Sequence, residues 1–277
     1  MSPPGFSRLN VLWELPETWC ETDHVAGALH EVERRLARHG LADSFVFVVT
    51  SVADRLPLKH PGRVIVIQTS DEAHEVPAYM NDAFMVFKVY RPFAQTPDNL
   101  RVIPLGCNKD VPVLPSKPMR ARGTDVFFVG RPEFREEFFA AALPLNERPD
   151  LAAQVGEAPG FRLGLSPADY AAVLADTKIA LSPRGVSHET FRTYEALRAG
   201  CAVIAARHLP SWWTDGWPVI EVDDWRGIGD LVDMLRADPG RLDALSAQGQ
   251  AWWRERCSPE AVGAYIATEI VAYLERR

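Results

Sequence analysis

The sequence predicts an α/β protein assembled from two halves, each organised around a parallel sheet. Residues 44–50 (SFVFVVT) form a nearly continuous apolar run, the mark of a strand buried on both faces. Residues 178–206 read as strand, glycine-containing loop, helix, glycine and strand, which is the βαβ pattern of a parallel sheet. Between the halves, residues 109–122 (KDVPVLPSKPMRAR) hold three prolines and several cations without periodicity, the composition of a linker.

In the first half, residues 8–14 (RLNVLWE) read as a strand and LPETWCETDH as the loop leaving it. Residues 25–39 form an amphipathic helix, with Leu29, Val32 and Leu36 on one face and His30, Glu33 and Arg34 on others, stopped by Gly40. After the 44–50 strand, residues 51–55 start a turn or short helix. Strands are then expected at 63–68 (RVIVIQ), 82–90 and 100–104, the last leading into Leu105-Gly106-Cys107-Asn108.

The second half restarts the pattern. Residues 125–129 (DVFFV) are a strand, Gly130 a turn, and residues 132–142 a helix with proline in its first turn, where the missing N–H does no harm. A helix over 166–175 feeds the 178–206 segment. A strand at 217–222 and helices at 228–235 and 239–253 follow. The terminal helix, 259–277, carries Ala261, Tyr265, Ile266, Ile270 and Tyr273 on its apolar side.

Composition excludes several classes. The chain has 277 residues, 47% hydrophobic and 24% charged, with a net charge of −7, which argues against a general binder of nucleic acid or anionic membrane. No charged leader followed by an apolar core opens it, and no apolar run approaches the roughly 18 residues of a membrane span. Cys20, Cys107, Cys201 and Cys257 are isolated, so reduced thiols in a cytoplasmic protein are expected, with no zinc site.

Three stretches hold candidate chemistry. In the first, the loop 184–187 opens a helix expected over 188–199. A helix N-terminus offers unpaired N–H groups and partial positive charge, which suit phosphate. Arg184 adds a full charge, and Ser187 either caps the helix or contacts the anion. Glu189, Arg192 and Glu195 follow at three-residue intervals. Either a carboxylate there accepts from ribose hydroxyls, or Arg192 pairs with Glu189 or Glu195 as surface decoration.

The second stretch is DVFFVGRPEFREEF. Gly130 lets a ligand approach the backbone closely, and Arg131 and Arg135, four residues apart across the expected helix start, face one anion. The alternative is an ordinary βα turn with solvated arginines. The third is TSDEAHE, 69–75, at the carboxyl end of a buried strand, where α/β sheets place clefts. Asp71 and Glu72 are candidate general bases for an acceptor hydroxyl, unless Ser70 or Asp71 simply caps a helix. Glu21, Asp23 and His24, in the loop leaving the first strand, are further candidate bases. The aromatic run SWWTDGW, 211–217, suits sugar stacking but more commonly packs.

SPRG, Thr190, Arg192 and YEALRAGCAVI, over 181–204, resemble the donor-binding segment of exostosin-like glycosyltransferases, which have the two-domain GT-B architecture. The resemblance implies diphosphate contacts at Arg184 and the 187–190 turn (Ser187, Glu189 and Thr190 among them) and a ribose contact at Glu195. Many retaining GT-B enzymes carry a second glutamate eight positions earlier; here that position is Ser187, and the role is not carried over. Phe128-Val129-Gly130-Arg131 is similar to the family's F-x-G turn with its following basic residue. SDE at 70–72, Tyr90-Arg91 and IPLG at 103–106 are similar, more loosely, to the N-terminal halves of bacterial members.

The resemblance implies an α/β fold of two Rossmann-like domains facing a cleft, a compact GT-B. Residues 1–112, completed by the terminal helix 259–277, would form the acceptor side, and residues 113–258 the donor-binding domain. The implied reaction moves a sugar from a nucleoside diphosphate sugar, of UDP or GDP type, to a hydroxyl of a glycan, lipid-linked or small-molecule acceptor. It would be inverting and metal-independent: no cofactor is expected, and Asp223-Asp224 lacks the spacer of a metal-binding DxD. No nucleic acid partner is expected, and peripheral membrane association stays open. The rivals are a sugar-nucleotide epimerase or hydrolase and a noncatalytic nucleotide-sugar-binding subunit.

Overall fold

The computed structural model describes residues 5–160 and 163–277; the few remaining positions of the two expected domains lie outside the described residues. The first half contains β1 (Asn10–Trp13), α1 (Thr22–Arg38), β2 (Val46–Thr50), β3 (Val64–Gln68), β4 (Met85–Lys88) and β5 (Leu100–Val102). The second continues with β6 (Thr124–Gly130), α2 (Glu136–Ala142), β7 (Ala153–Glu157), α3 (Pro167–Ala175), β8 (Thr177–Ser182), α4 (Phe191–Arg198), β9 (Ala202–Ala206), β10 (Val219–Val222), α5 (Ile228–Arg236) and α6 (Pro239–Trp252). A π-helical turn, Trp253–Cys257, leads into α7 (Pro259–Glu275). The chain divides into two compact units, Met1–Lys109 with Arg256–Arg277, and Asp110–Glu255.

The first unit is a parallel sheet in sequential order, β1-β2-β3-β4-β5. Every residue of the central β3 is buried, as expected of a strand covered on both faces. Helix α7 packs on α1 through two glycines. Gly27 lies under Pro259, and Gly263 meets the Ala28 carbonyl so closely that a Cβ there would stand 2.2 Å from the oxygen. Helix α1 starts three residues earlier than its apolar periodicity suggested. Thr22 Oγ1 donates to the Trp19 carbonyl and Val25 N to Glu21 O, so Asp23 and His24 sit in a first helical turn and not in a loop. Residues 69–75 form no helix, which removes the capping role considered for Ser70 and Asp71.

The second unit has the order β10-β9-β8-β6-β7, again all parallel. Its strands alternate cleanly. Val126, Phe128, Ile179, Leu181, Ala202 and Ile204 face a core completed by Phe138, Phe139, Val232 and Leu235. Phe127, Ala180, Val203 and Ala205 face the opposite layer with Leu174, Ala196, Leu197 and Trp217. That is the two-residue period of a sheet covered on both sides. Gly200, at φ +71, ends α4 while Cys201 N bonds back to Ala196 O. The proline-rich stretch is anchored at its end: Arg122 donates to Thr177 O at 2.6 Å and Ala199 O at 3.1 Å, and Arg198 to Val111 O. Strand β7 is an edge strand with one buried side chain, Val155, so it carries almost no hydrophobic signal. Among the described residues no helix is long and apolar enough to cross a membrane.

Candidate functional site

In the second unit the chain leaves β6 toward β7 on one side, then crosses back to β8, β9 and β10 on the other. The carboxyl ends of β6 and β8 are therefore the point where connections diverge, the crevice in which open parallel sheets place ligands. Strand β6 ends at Gly130 and β8 at Ser182.

Arginines collect at this point. Arg192, in the first turn of α4, lays its guanidinium over the Phe128 ring, 5.2 Å from the centroid, and Nη2 donates to the Val129 carbonyl at 2.9 Å. Arg135 lies 5.7 Å from the same ring and its Nη1 donates to Arg131 O at 2.8 Å. Its Nη2 approaches the loop after β8: a Cβ on Gly185 would be 3.1 Å away. Nε of Arg135 and Nε of Arg192 are both buried without a hydrogen-bond partner. Burial first, then the neighbouring charges of Arg192 and Arg131, pulls the Arg135 guanidinium down to about 10. Among the described residues, the carboxylate ion-paired with the cluster is Glu133, 3.6 Å from Arg131. Arg131 is half-buried in the turn; helix α2 begins only at Glu136, because Pro132 opens a tight turn closed by Arg135 N to Pro132 O. The two arginines meet through that turn, not through helical spacing.

The 182–195 segment corrects the expected helix start as well. Helix α4 begins at Phe191, with Thr190 at the N-cap position and no side-chain cap bond. Ser187, buried, accepts from Glu189 N at 3.2 Å and so shapes the preceding loop. Glu189 is not on the helix surface. It is buried, and accepts from Tyr194 Oη, which in turn accepts from Trp213 Nε1 at 3.0 Å. Ser182 Oγ links Thr190 Oγ1 at 3.0 Å and Thr193 Oγ1 at 2.8 Å, tying the strand end to the helix start. Glu195 is buried beside Tyr170, whose phenol is raised well above its ordinary value by desolvation and by this carboxylate. The surface-pair alternative for Arg192 therefore fails: no ion pair of Arg192 with Glu189 or Glu195 occurs among the described residues, and both carboxylates are buried. Arg184 is exposed in the loop after β8, where its Nε makes a long contact to Gly185 O at 3.4 Å.

The aromatic run packs. Trp213 is buried, its carbonyl accepts from Trp252 Nε1, and Trp217 stands edge-on to His208 at 4.7 Å. His208 follows β9, with Nδ1 against Ala206 O at 2.9 Å, and burial pushes its imidazole down to about 4.

In the first unit the loops at the carboxyl ends of the strands are tied together. Trp19 Nε1 donates to Ser70 Oγ at 2.8 Å and Ser70 Oγ to Glu21 Oε1. The His24 ring is buried against Gly106, where a Cβ would come within 2.5 Å of it. Asp71 is buried and ion-paired with Lys88 Nζ at 2.7 Å, whereas Glu72 and Asp23 are exposed. Sequence reasoning missed Lys88, which sits in an apolar strand and gives no local signal, and Tyr170, which is brought to Glu195 only by the fold.

Residues 135–272 match the family model described as glycosyl transferase-like, a span that begins at Arg135 and includes Arg184, Arg192 and Glu195. Among solved structures, the fold is similar to sucrose-phosphate synthase from Thermosynechococcus elongatus, with a TM-score of 0.52 and 12% identity over 95% of this chain and 81% of that one. Lower-scoring similarities are to a GtfA/B complex (TM-score 0.47, 14% identity, 87% and 60% coverage) and to spinosyn forosaminyltransferase SpnP (0.45, 11%, 96% and 100%). Comparison with curated proteins finds no match. The class is a glycosyltransferase of GT-B fold, with two Rossmann-like parallel-sheet domains. Residues 135–272 are its glycosyl transferase-like domain, and sugar transfer is its activity.

Proposed function

We propose that the second unit binds a nucleoside diphosphate sugar of UDP or GDP type, and that the first unit carries the acceptor. The observation that carries this reading is the group of Arg131, Arg135 and Arg192 at the switch point, with two buried Nε donors unpartnered. Two buried guanidinium groups with unpartnered Nε donors, and Glu133 on Arg131 as the carboxylate beside them, suit an added anion. Arg184, exposed on the adjoining loop, would add a further cation. Glu195, steadied by Tyr170, would accept from the ribose hydroxyls. Ser187, Glu189 and Thr190 would hold the loop around the diphosphate, with Gly130 leaving room for it.

In the transfer, an acceptor oxygen attacks the anomeric carbon, the bond from that carbon to the diphosphate oxygen breaks, and a base takes the hydroxyl proton. Negative charge grows on the departing diphosphate. Guanidinium groups already fixed in a partly buried site stabilise that charge without reorganising, which gives the reaction a metal-independent course. Direct attack inverts the anomeric centre. The base would come from the first unit, where Asp71, Glu72, Asp23 and His24 are the candidates. A hydroxyl of a glycan, a lipid-linked sugar or a small molecule would serve as acceptor, and the exostosin-like placement rests on the residues of 181–204.

The test is thermal stabilisation by UDP, GDP, ADP, TDP and CMP, in the wild type and in Arg135→Met, Arg184→Ala and Glu195→Ala. A nucleotide at about 100 times its dissociation constant stabilises by roughly 2.7 kcal/mol. Selective stabilisation by one diphosphate, lost in the variants, supports the donor site and identifies the donor class. A wild type indifferent to every nucleotide sinks it.

A further inference from the structure

We propose that Lys88 is a positioning residue that locks the loop after β3 so that Glu72 serves as the base of the transfer; this rests on the transfer reaction proposed above. Lys88 is the last residue of β4 and is wholly buried. Its ammonium has three N–H donors, and all three are spent on this region: Asp71 Oδ2 at 2.7 Å, Glu75 O at 2.9 Å and Tyr90 O at 3.0 Å.

The loop it holds is shaped against backbone preference. Ser70, His74 and Tyr90 have φ of 58°, 57° and 59°, in the left-handed region that non-glycine residues avoid. No glycine occurs between Gly62 and Gly106. Such conformations persist where surrounding contacts over-determine them, and these contacts are present. Ser70 is held between Trp19 and Glu21. His74 meets Arg91 O through Nδ1 at 2.8 Å, stacks on Phe93 at 4.4 Å, and accepts from Phe93 N through its carbonyl. Positions 70, 71, 74 and 75 are thus pinned, and Glu72 and Ala73 are left exposed between them.

The ion pair also sorts the carboxylates. Asp71 is committed as the counter-ion of a buried cation, and protonating it would strand that charge. Glu72 makes no ion pair among the described residues. A general base needs a carboxylate that is free to take a proton; Asp71 is spent on Lys88, and of the two exposed carboxylates, Glu72 and Glu75, Glu72 is the one that lies between the pinned positions of the loop.

The experiment uses the full chain in four forms: wild type, Lys88→Met, Glu72→Gln and His74→Gly. Nucleoside diphosphate release from UDP-glucose, UDP-N-acetylglucosamine and GDP-mannose is followed with methyl glycosides as acceptors, beside hydrogen exchange over residues 69–76 and 90–93. Glu72→Gln should slow turnover about 100-fold with loop protection intact, and should flatten the acidic limb of the pH profile. Lys88→Met should speed loop exchange at least about tenfold and lower kcat to a similar degree, with donor KM unchanged. If Lys88→Met does not fold, His74→Gly decides, because glycine accepts the left-handed backbone while the imidazole contacts to Arg91 O and the Phe93 ring are lost; faster loop exchange with a lowered kcat is expected. Turnover within about threefold of wild type in a loosened loop, or in Glu72→Gln, overturns the proposal. A wild type that no nucleotide stabilises instead sinks the donor reading, a separate failure.

Discussion

A Cβ on Gly130 would lie 3.0 Å from Nη2 of Arg192 and 2.6 Å from Cζ of Phe128. The strand ends in glycine because the guanidinium and the ring beneath it occupy the space a side chain would take. Phe128 cannot yield, since it is wedged edge-on against Phe138 and Phe139 at 4.7 and 5.7 Å. Gly130→Ala should therefore displace Arg192 and strain the strand end. The expected outcome is nucleotide binding weakened about tenfold, roughly 1.4 kcal/mol, and a fold destabilised by about 1–3 kcal/mol. Titration calorimetry and urea denaturation check the two parts separately.

Arg135 should behave in the opposite sense for stability. Its folded-state value lies below the ordinary one because burial and two neighbouring arginines disfavour its charge. For a base depressed in this way, the unfolded chain holds its proton more tightly than the folded one, so the charge destabilises the fold at neutral pH. Arg135→Met keeps the packing over Phe128 and removes the repulsion. The unliganded protein should gain about 1 kcal/mol, roughly 2–4 °C in melting temperature, while stabilisation by nucleoside diphosphate is lost. Melting curves with and without nucleotide give both numbers. A variant that is no more stable, or that still responds to nucleotide, contradicts the assignment.

Much of the fold was legible because apolar periodicity is a local property. The apolar runs in 125–129 and 44–50 both became strands, and Gly200 closes α4 as its place after YEALRA indicated. The starts of α5, α6 and α7 fell where the sequence placed them, whereas those of α1, α2 and α4 were not legible. Ser187 and Pro132 are each good opening residues, but Ser187 instead braces Glu189 N and Pro132 sets a turn that delays α2 to Glu136. The site shows the same division. Arg131, Arg135 and Arg192 were readable as cations near glycine turns. That the last two stack on Phe128 and lack partners at Nε depends on which strands are neighbours, which no local pattern carries. Lys88 was invisible for the same reason: a lysine closing an apolar strand reads as solvated until the loop that covers it is placed.

His208 predicts a pH dependence. It is buried neutral, with Nδ1 donating to Ala206 O and its ring against Trp217, and its folded value is pushed down to about 4. The unfolded imidazole protonates near its ordinary value of about 6.5. Between these two values the unfolded state binds the extra proton, so stability is full above about pH 6.5 and falls as pH drops toward 4. The linkage is worth about 3 kcal/mol at most. His208→Asn keeps a donor for Ala206 O and cannot titrate. Urea midpoints measured from pH 7.5 to 4 should fall less steeply in the variant, and parallel slopes would show that His208 is not the group responsible.

Gly263 sets the approach of α7 to α1. A Cβ at this position would stand 2.2 Å from the Ala28 carbonyl oxygen and 2.7 Å from Cβ of Glu31, and neither is the tip of a flexible side chain. Backbone must move, so Gly263→Ala should force the two helices apart and expose Val262, Ile266 and Ile270, which are buried in α7. Alanine would favour an isolated helix by about 1 kcal/mol, but the overpacking cost is about 1–3 kcal/mol or more, and the second term wins because the clash is with main chain. Gly27→Ala meets Pro259 Cβ at 2.8 Å, a side-chain contact that a small shift of α7 relieves, and should cost less. The ordering, wild type above Gly27→Ala above Gly263→Ala, is measured by urea denaturation. Nucleotide affinity should be unchanged in both, because the arginine cluster belongs to the other unit. A Gly263→Ala protein as stable as the wild type would mean that α7 does not dock on α1 at this distance.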